Sequence, residues 1–185
     1  MHVLFIKLKY FIQKYYVKIL LYGNMKFFHK ILHKLKTFIE IKNVVQMDKI
    51  EQFIGDFRFL SNFFPVEVEY DGHVYKSVEH AYQAAKTLDD NIRKTIREAE
   101  TASKAKKIGK NITLREDWND VKIDIMESLL REKFSKQLFK QLLKNTGDAE
   151  LIEGNTWGDD FWGVYNNYGH NHLGKLLMKI RNEFK

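Results

Sequence analysis

The stretch from Val66 to Tyr75 narrows the fold class most. Val66-Glu67-Val68-Glu69-Tyr70 alternates apolar and charged residues, as a half-buried strand does. Asp71-Gly72 then supplies a two-residue hairpin turn, and His73-Val74-Tyr75 returns. Pro65, the only proline, sits at the start of the first strand, where a missing N–H does least harm. After this hairpin the apolar period lengthens from two to that of a helix. Ser77 is a candidate N-cap for a helix from Val78 to about Leu88. Further helices are expected over Asn91 to Glu100 and Ala102 to Ile108, the latter stopping at Gly109. Trp118 to Phe134 carries Val121, Ile125, Leu129 and Phe134 on one stripe, and Ser135 to Lys144 closes at Asn145-Thr146-Gly147. Ala149 to Glu153 and Phe161 to Val164 read as short strands. Asn171 is expected to cap a last helix, Leu173 to Phe184, with Leu173, Leu176, Leu177 and Ile180 facing inward. One hairpin succeeded mostly by helices implies an α+β fold, a small antiparallel sheet surrounded by helices.

Charge divides the 185 residues in two. Residues 1–46 hold nine of the 31 basic residues and one of the 24 acidic ones, Glu40. The remainder carries 22 basic and 23 acidic residues, so the net charge of +7 belongs to the first segment. The part from residue 47 onward is near neutral, and no global field steers it to a polyanion. In 1–46, Leu4, Phe5, Leu8, Phe11, Ile12, Tyr15, Tyr16, Ile19 and Leu20 fall at helical spacing opposite Lys7, Lys14 and Lys18. This segment reads as a basic amphipathic leader outside the domain, poorly ordered or non-native; a helix that meets an anionic membrane surface or a partner is the weaker alternative. Lysines interrupt its apolar runs every few residues, which argues against a membrane span or a cleavable signal. The chain has no cysteine, so disulfides, zinc thiolates and thiol nucleophiles are excluded. Its seven histidines show no metal-ligand spacing, and neither metal nor cofactor is called for. A cytoplasmic location fits this composition.

Three segments hold polar and aromatic residues that folding alone does not require: Phe57 to Pro65, Ser77 to Lys86, and Glu153 to Gly163 continued by Gly169 to Lys175. Glu79 and Lys86 lie seven apart on one expected helix, on one face two turns apart, with Tyr82 and Gln83 between them. An acid in a first helical turn also simply favours the helix dipole, and an exposed lysine needs no role. Trp157 and Trp162 interrupt a loop of glycines and acids; each either stacks on a ligand or anchors the loop to the core. The acids Asp159 and Asp160 lack the spacing of a calcium loop. Trp118 begins the long helix and reads as a buried staple there.

Together these segments resemble the NADAR family, also called YbiA-like. Leu60 to Phe63 matches a Leu-Ser-Asn-Phe element. Ser77, Glu79, His80, Tyr82, Gln83 and Lys86 match a Ser-x-Glu-His-x-Tyr-Gln-x-x-Lys helix. Trp118 matches a mid-chain tryptophan, Asp159, Trp162 and Gly163 a late Asp-x-x-Trp-Gly, and Asn171, Leu173, Gly174, Leu177, Met178 and Arg181 the ending. The resemblance covers about Phe53 to Phe184 and leaves out 1–46, so the domain is placed at 47–185. It implies hydrolysis of the bond between ribose C1 and a nitrogen. It also implies two substrate classes: ribosylamino-pyrimidine phosphates of early riboflavin synthesis, and ADP-ribose attached to guanine in nucleic acid.

In that reading Glu79 and Asp159 supply the carboxylates, with the base unassigned between them, and Lys86 offers a Schiff-base route instead. Trp118, Trp157 and Trp162 stack on the base or exclude water, and Arg58 and Asn62 hold ribose hydroxyls or phosphate. Tyr82, Gln83 and Asn171 complete the substrate-binding set. The implied partner is a small ribosylated or ADP-ribosylated molecule, or modified nucleic acid. A module that binds ADP-ribose without cutting it is the non-catalytic rival. Nothing in the residues sets an oligomeric state.

Overall fold

The computed structural model describes residues 47–184. The expected amphipathic leader, 1–46, lies outside the described residues. From Lys49 onward the chain forms one compact unit.

Strand β1 (Lys49–Ile50) leads into a 3-10 helix, Gly55–Leu60, and then the hairpin of β2 (Val68–Tyr70) and β3 (His73–Tyr75). Helices α1 (Val78–Ala84), α2 (Asp90–Glu98), α3 (Ala102–Gly109), α4 (Trp118–Ser135) and α5 (Gln137–Lys144) come next. Strands β4 (Glu150–Leu151), β5 (Gly154–Asn155) and β6 (Val164–Tyr165) precede the last helix, α6 (His172–Asn182). The α+β class is as expected. Among the described residues the β part is not one sheet, however, but three two-stranded pairs. The hairpin is antiparallel, with Val68 opposite Tyr75, whereas β1 runs parallel to β4 and β5 parallel to β6. Strands of two or three residues are too short to build a continuous sheet. They act as clasps that fix where loops cross.

Local chemistry accounts for the helix boundaries. Ser77 Oγ accepts the backbone N–H of His80, and Asp89 Oδ1 accepts those of Asn91 and Ile92, satisfying donors the first turns leave open. Helix α1 ends four residues sooner than its apolar pattern implies. The chain tightens into a turn there, and Lys86 O accepts the N–H of Arg115 at 2.8 Å. All seven residues of α1 are buried, because α2, α3, α4 and the hairpin pack around it.

The long helix α4 departs from its expected stripe. Leu129 and Phe134 are buried, but Val121 and Ile125 are only half covered, while Trp118, Met126, Leu130 and Lys133 are buried. The reason lies in the first two turns. The row Trp118, Lys122, Met126, four residues apart, turns toward a cavity, and Trp118 and Met126 join that cavity to the buried core. Helix α6 buries Leu173, Leu176, Leu177 and Ile180, as its period requires. The core runs without a break from Leu60 through Val78, Leu129, Leu143 and Leu151 to Ile180.

Candidate active site

A cavity of about 840 Å³ opens where α1, α3, the start of α4 and the loop from Glu153 to Trp162 converge with the segment from Gln52 to Phe63. Of the eleven site residues expected from sequence, ten line it: Arg58, Asn62, Glu79, Tyr82, Gln83, Lys86, Trp118, Trp157, Asp159 and Trp162. Asn171 does not.

Helix α1 contributes Glu79, Tyr82 and Gln83, and the turn that follows it contributes Lys86. Glu79 is buried, and one of its carboxylate oxygens accepts the Gln83 side-chain amide at 2.8 Å. Burial pushes its carboxyl above the ordinary carboxylate range. The Gln83 bond and the charges of Lys106 and Lys86 pull the other way. Its backbone N–H donates to Asn62 O at 3.0 Å, tying α1 to the Leu60-Ser61-Asn62-Phe63 element. Burial also lowers the Lys86 ammonium, against the charge of Glu79, and the amine lies 5.7 Å from the centre of the Tyr82 ring.

Tyr82 is the hub of an aromatic wall. Its ring is 5.1 Å from Trp118 and 5.4 Å, edge-on, from Trp162. Both stacking and anchoring therefore describe Trp118 and Trp162, since each packs on Tyr82 and faces the cavity. Trp157 differs: it is 63% exposed at the rim, and the Lys106 ammonium lies 5.6 Å from its ring and 5.5 Å from that of Phe63.

The third side of the site is a loop that Asn155 holds in shape. Its amide donates to Asp159 O and Val164 O and accepts from the N–H groups of Trp157 and Asp159. Asp159 Oδ1 in turn accepts the backbone N–H of Trp162 at 2.9 Å. This places an acid and an indole from one turn on one wall.

Several lining residues escaped the sequence reading, namely Lys106, Lys110, Lys122, Asn155 and Glu153. The lysines gave no signal, because helical lysines read as solvated. Glu153 stood within the third segment but at no motif position assigned a role. Burial, then the charges of Asp159 and Glu79, push its carboxyl up to about 7. Asn171 is the correction in the other direction. It is buried with a left-handed backbone, makes no side-chain cap to α6, and spends its amide on Leu151 O and the N–H of Glu153. It holds the frame of the site and does not reach the space inside. Among the described residues no group of histidines and acids has the arrangement to hold a metal ion.

Among the described residues, four buried side-chain atoms have no hydrogen-bond partner within the protein: Asn62 Oδ1, Gln83 Oε1, Glu153 Oε2 and Arg181 Nε. The first three belong to residues lining this cavity. Unpaired buried polar groups cost about 1–3 kcal/mol each, and three of these four sit on residues of this one cavity.

The NADAR domain family model matches residues 47–185. The chain belongs to the NADAR domain family. This NADAR chain is 38% identical over 133 residues to the N-glycosidase YbiA of Shigella flexneri serotype 5b, covering 70% of this chain and 81% of that protein. It is 37% identical over 132 residues to a riboflavin biosynthesis protein of Vibrio vulnificus, but spans only 35% of that longer protein. The NMR structure of the Escherichia coli protein YbiA superposes with a TM-score of 0.66 at 33% identity, over 76% of this chain and 89% of that one. The expected NADAR fold and an N-glycosidase-type enzyme class are borne out by these relatives. Among the described residues no helix is long and apolar enough to cross a membrane.

Proposed function

We propose that this NADAR chain hydrolyses the ribose C1–N bond of ribosylated small molecules, early riboflavin intermediates being the model substrates. The observation that carries the reading is the meeting, in one cavity, of Glu79 and Asp159 with the Tyr82–Trp118–Trp162 wall. Breaking the C1–N bond leaves positive charge on the sugar and an electron pair on the departing nitrogen. A carboxylate beside C1 stabilises that cation and takes a proton from the attacking water. Glu79 and Asp159 fill these roles, and the indoles stack on the departing base. Arg58 and Asn62 take phosphate and ribose hydroxyls, for which a planar guanidinium and an amide with an unpaired oxygen are suited.

Lys86 offers a second chemical route from the same cavity. A ribosylamine opens to an imine, the lysine amine adds to C1 and expels the leaving nitrogen, and water then frees the sugar. The lowered ammonium of Lys86 favours the amine this route needs.

A larger, multiply anionic substrate such as ADP-ribose on guanine is the second reading. Besides Lys86, the basic side chains of Arg58, Lys106, Lys110 and Lys122 line the cavity with an exposed Trp157 at its rim, which suits more than one phosphate and a stacked base. Binding of ADP-ribose without hydrolysis is the non-catalytic form of that reading.

The test is to incubate the protein with a ribosylaminopyrimidine phosphate and with an ADP-ribosylated guanine oligonucleotide, and to monitor released base or sugar by mass spectrometry. Release from either substrate is expected, falling about 10²–10⁴-fold in Glu79→Gln. Full rates in that variant would remove the carboxylate role. A borohydride-trapped adduct at Lys86 would select the Schiff-base route.

A further inference from the structure

The roles of Glu79 and Asp159 leave a third carboxylate of the cavity without work. Glu153 lies just after β4 and lines the same cavity, and its Oε2 is buried with no partner within the protein. Its backbone is clamped on both sides. The N–H donates to Asn171 Oδ1 at 3.1 Å, the carbonyl accepts the N–H of Val164 at 2.9 Å, and Asn171 Nδ2 also donates to Leu151 O at 2.9 Å. A Cβ on Gly163 would come within 2.1 Å of the Glu153 carbonyl oxygen, so the residue that leads into β6 is pressed directly against Glu153. A left-handed asparagine and a glycine thus fix the backbone that carries this acid.

The charged groups that act on Glu153 come from every wall: Glu79 of α1, Lys106 of α3, Lys133 of α4 and Asp159 of the loop. Lys133 is wholly buried and donates to Ser61 O at 2.8 Å, among the rings of Phe64, Phe134 and Phe139.

We infer that Glu153 is the general acid of this site and delivers its proton to the departing nitrogen, with Asn171 as its positioning residue. The assignment rests on the N-glycosidase reading. As the C1–N bond breaks, its electron pair goes to the nitrogen, which takes the Glu153 proton. Water adds to C1 and gives a proton to the Glu79 or Asp159 carboxylate, and solvent exchange returns the proton to Glu153. Burial and the two neighbouring acids hold the Glu153 carboxyl at about 7, so a large share of molecules carry that proton at neutral pH.

Two substrates separate this role from others. The nitrogen of a ribosylaminopyrimidine phosphate needs a proton to leave, whereas nicotinamide leaves nicotinamide riboside already neutral. In wild-type protein, hydrolysis of the first should fall as pH rises through about 7, and hydrolysis of the second should not. In Glu153→Gln the first should slow about 10²–10⁴-fold and lose that basic limb, while the second changes less than about tenfold. Equal losses on both substrates, or a basic limb that survives in Glu153→Gln, would overturn the assignment. If the protein cleaves only the aminopyrimidine riboside, the fate of its basic limb decides. If Glu153→Gln does not fold by circular dichroism, Glu153→Asp replaces it and must keep the limb at a reduced rate. Cleavage of neither substrate, nor of the oligonucleotide, by wild-type protein would defeat the N-glycosidase reading itself, a different result from any of these.

Discussion

Gln83 does its work by being held. It donates to Glu79 from one end of its amide, and the helix that packs across it has Gly109 where a side chain would intrude. A Cβ there would fall 2.1 Å from Gln83 Oε1 and 3.0 Å from its Cβ, far inside contact distance. Gly109→Ala is therefore expected to push Gln83 off Glu79. Overpacking of this kind costs about 1–3 kcal/mol. The hydrolysis rate should fall at least tenfold, although Gly109 is not among the cavity residues. Kinetics beside a thermal melt checks this; a variant that loses stability but keeps full activity would show that the amide is not needed at Glu79. The same logic explains why Glu79→Gln is the sharper probe of chemistry: it nearly keeps the shape, can still accept from Gln83, and removes the ionisable carboxyl.

At the scale of elements, the wall opposite α1 is a loop, and its order comes from one side chain. Asn155 makes four hydrogen bonds that span Trp157 to Val164, and the β5–β6 pairing sets Asn155 opposite Tyr165. Its two donors and its carbonyl oxygen are all committed, which no other residue type of that size can copy. Asn155→Ala is expected to leave α1 to α6 folded, by circular dichroism, and to raise KM and lower kcat together by tenfold or more, because Asp159 and Trp162 lose their common frame. A variant whose steady-state constants match wild type would show that the loop is set by Gly163 and the strands alone. Helix α1 is the rigid counterpart. It is short, capped by Ser77 and buried on all sides, so its row of functional groups has little freedom to move.

Across the whole molecule, the core and the site are linked through a buried lysine. Lys133 sits in the core of α4, and burial lowers its ammonium from 10.5 to about 7, against the pull of Glu153. Between those values the unfolded chain holds a proton that the folded chain has released, so stability rises with pH from about 7 to 10.5. Glu153 acts on the other side. Its carboxyl is raised from 4.5 to about 7, the folded chain keeps a proton the unfolded chain has lost, and stability falls as pH rises through that window. The lysine contribution is on the order of a few kcal/mol. The melting temperature of wild-type protein should climb by several degrees from pH 7 to pH 9, and Lys133→Met should flatten that climb while filling the same space. An unchanged slope in the variant would mean that other groups govern it.

Much of this molecule is written in local pattern. Alternation and a turn dipeptide specify the hairpin, 3.6-residue periodicity specifies the helices, and a capping side chain specifies where Ser77 begins one of them, because each acts over a few bonds. The group Glu79, Tyr82, Gln83 and Lys86 was legible for the same reason: one helix and the turn that ends it carry all four. The charge division of the chain needed only counting. What local pattern did not hold was the pairing of β1 with β4, the half-covered Val121 and Ile125, the burial of Lys133, the duty of Asn171 toward Glu153, and Lys106 at the rim. Each of these depends on which distant segment arrives alongside, and hydrophobic burial, being non-directional, leaves no mark of the partner in the residue itself.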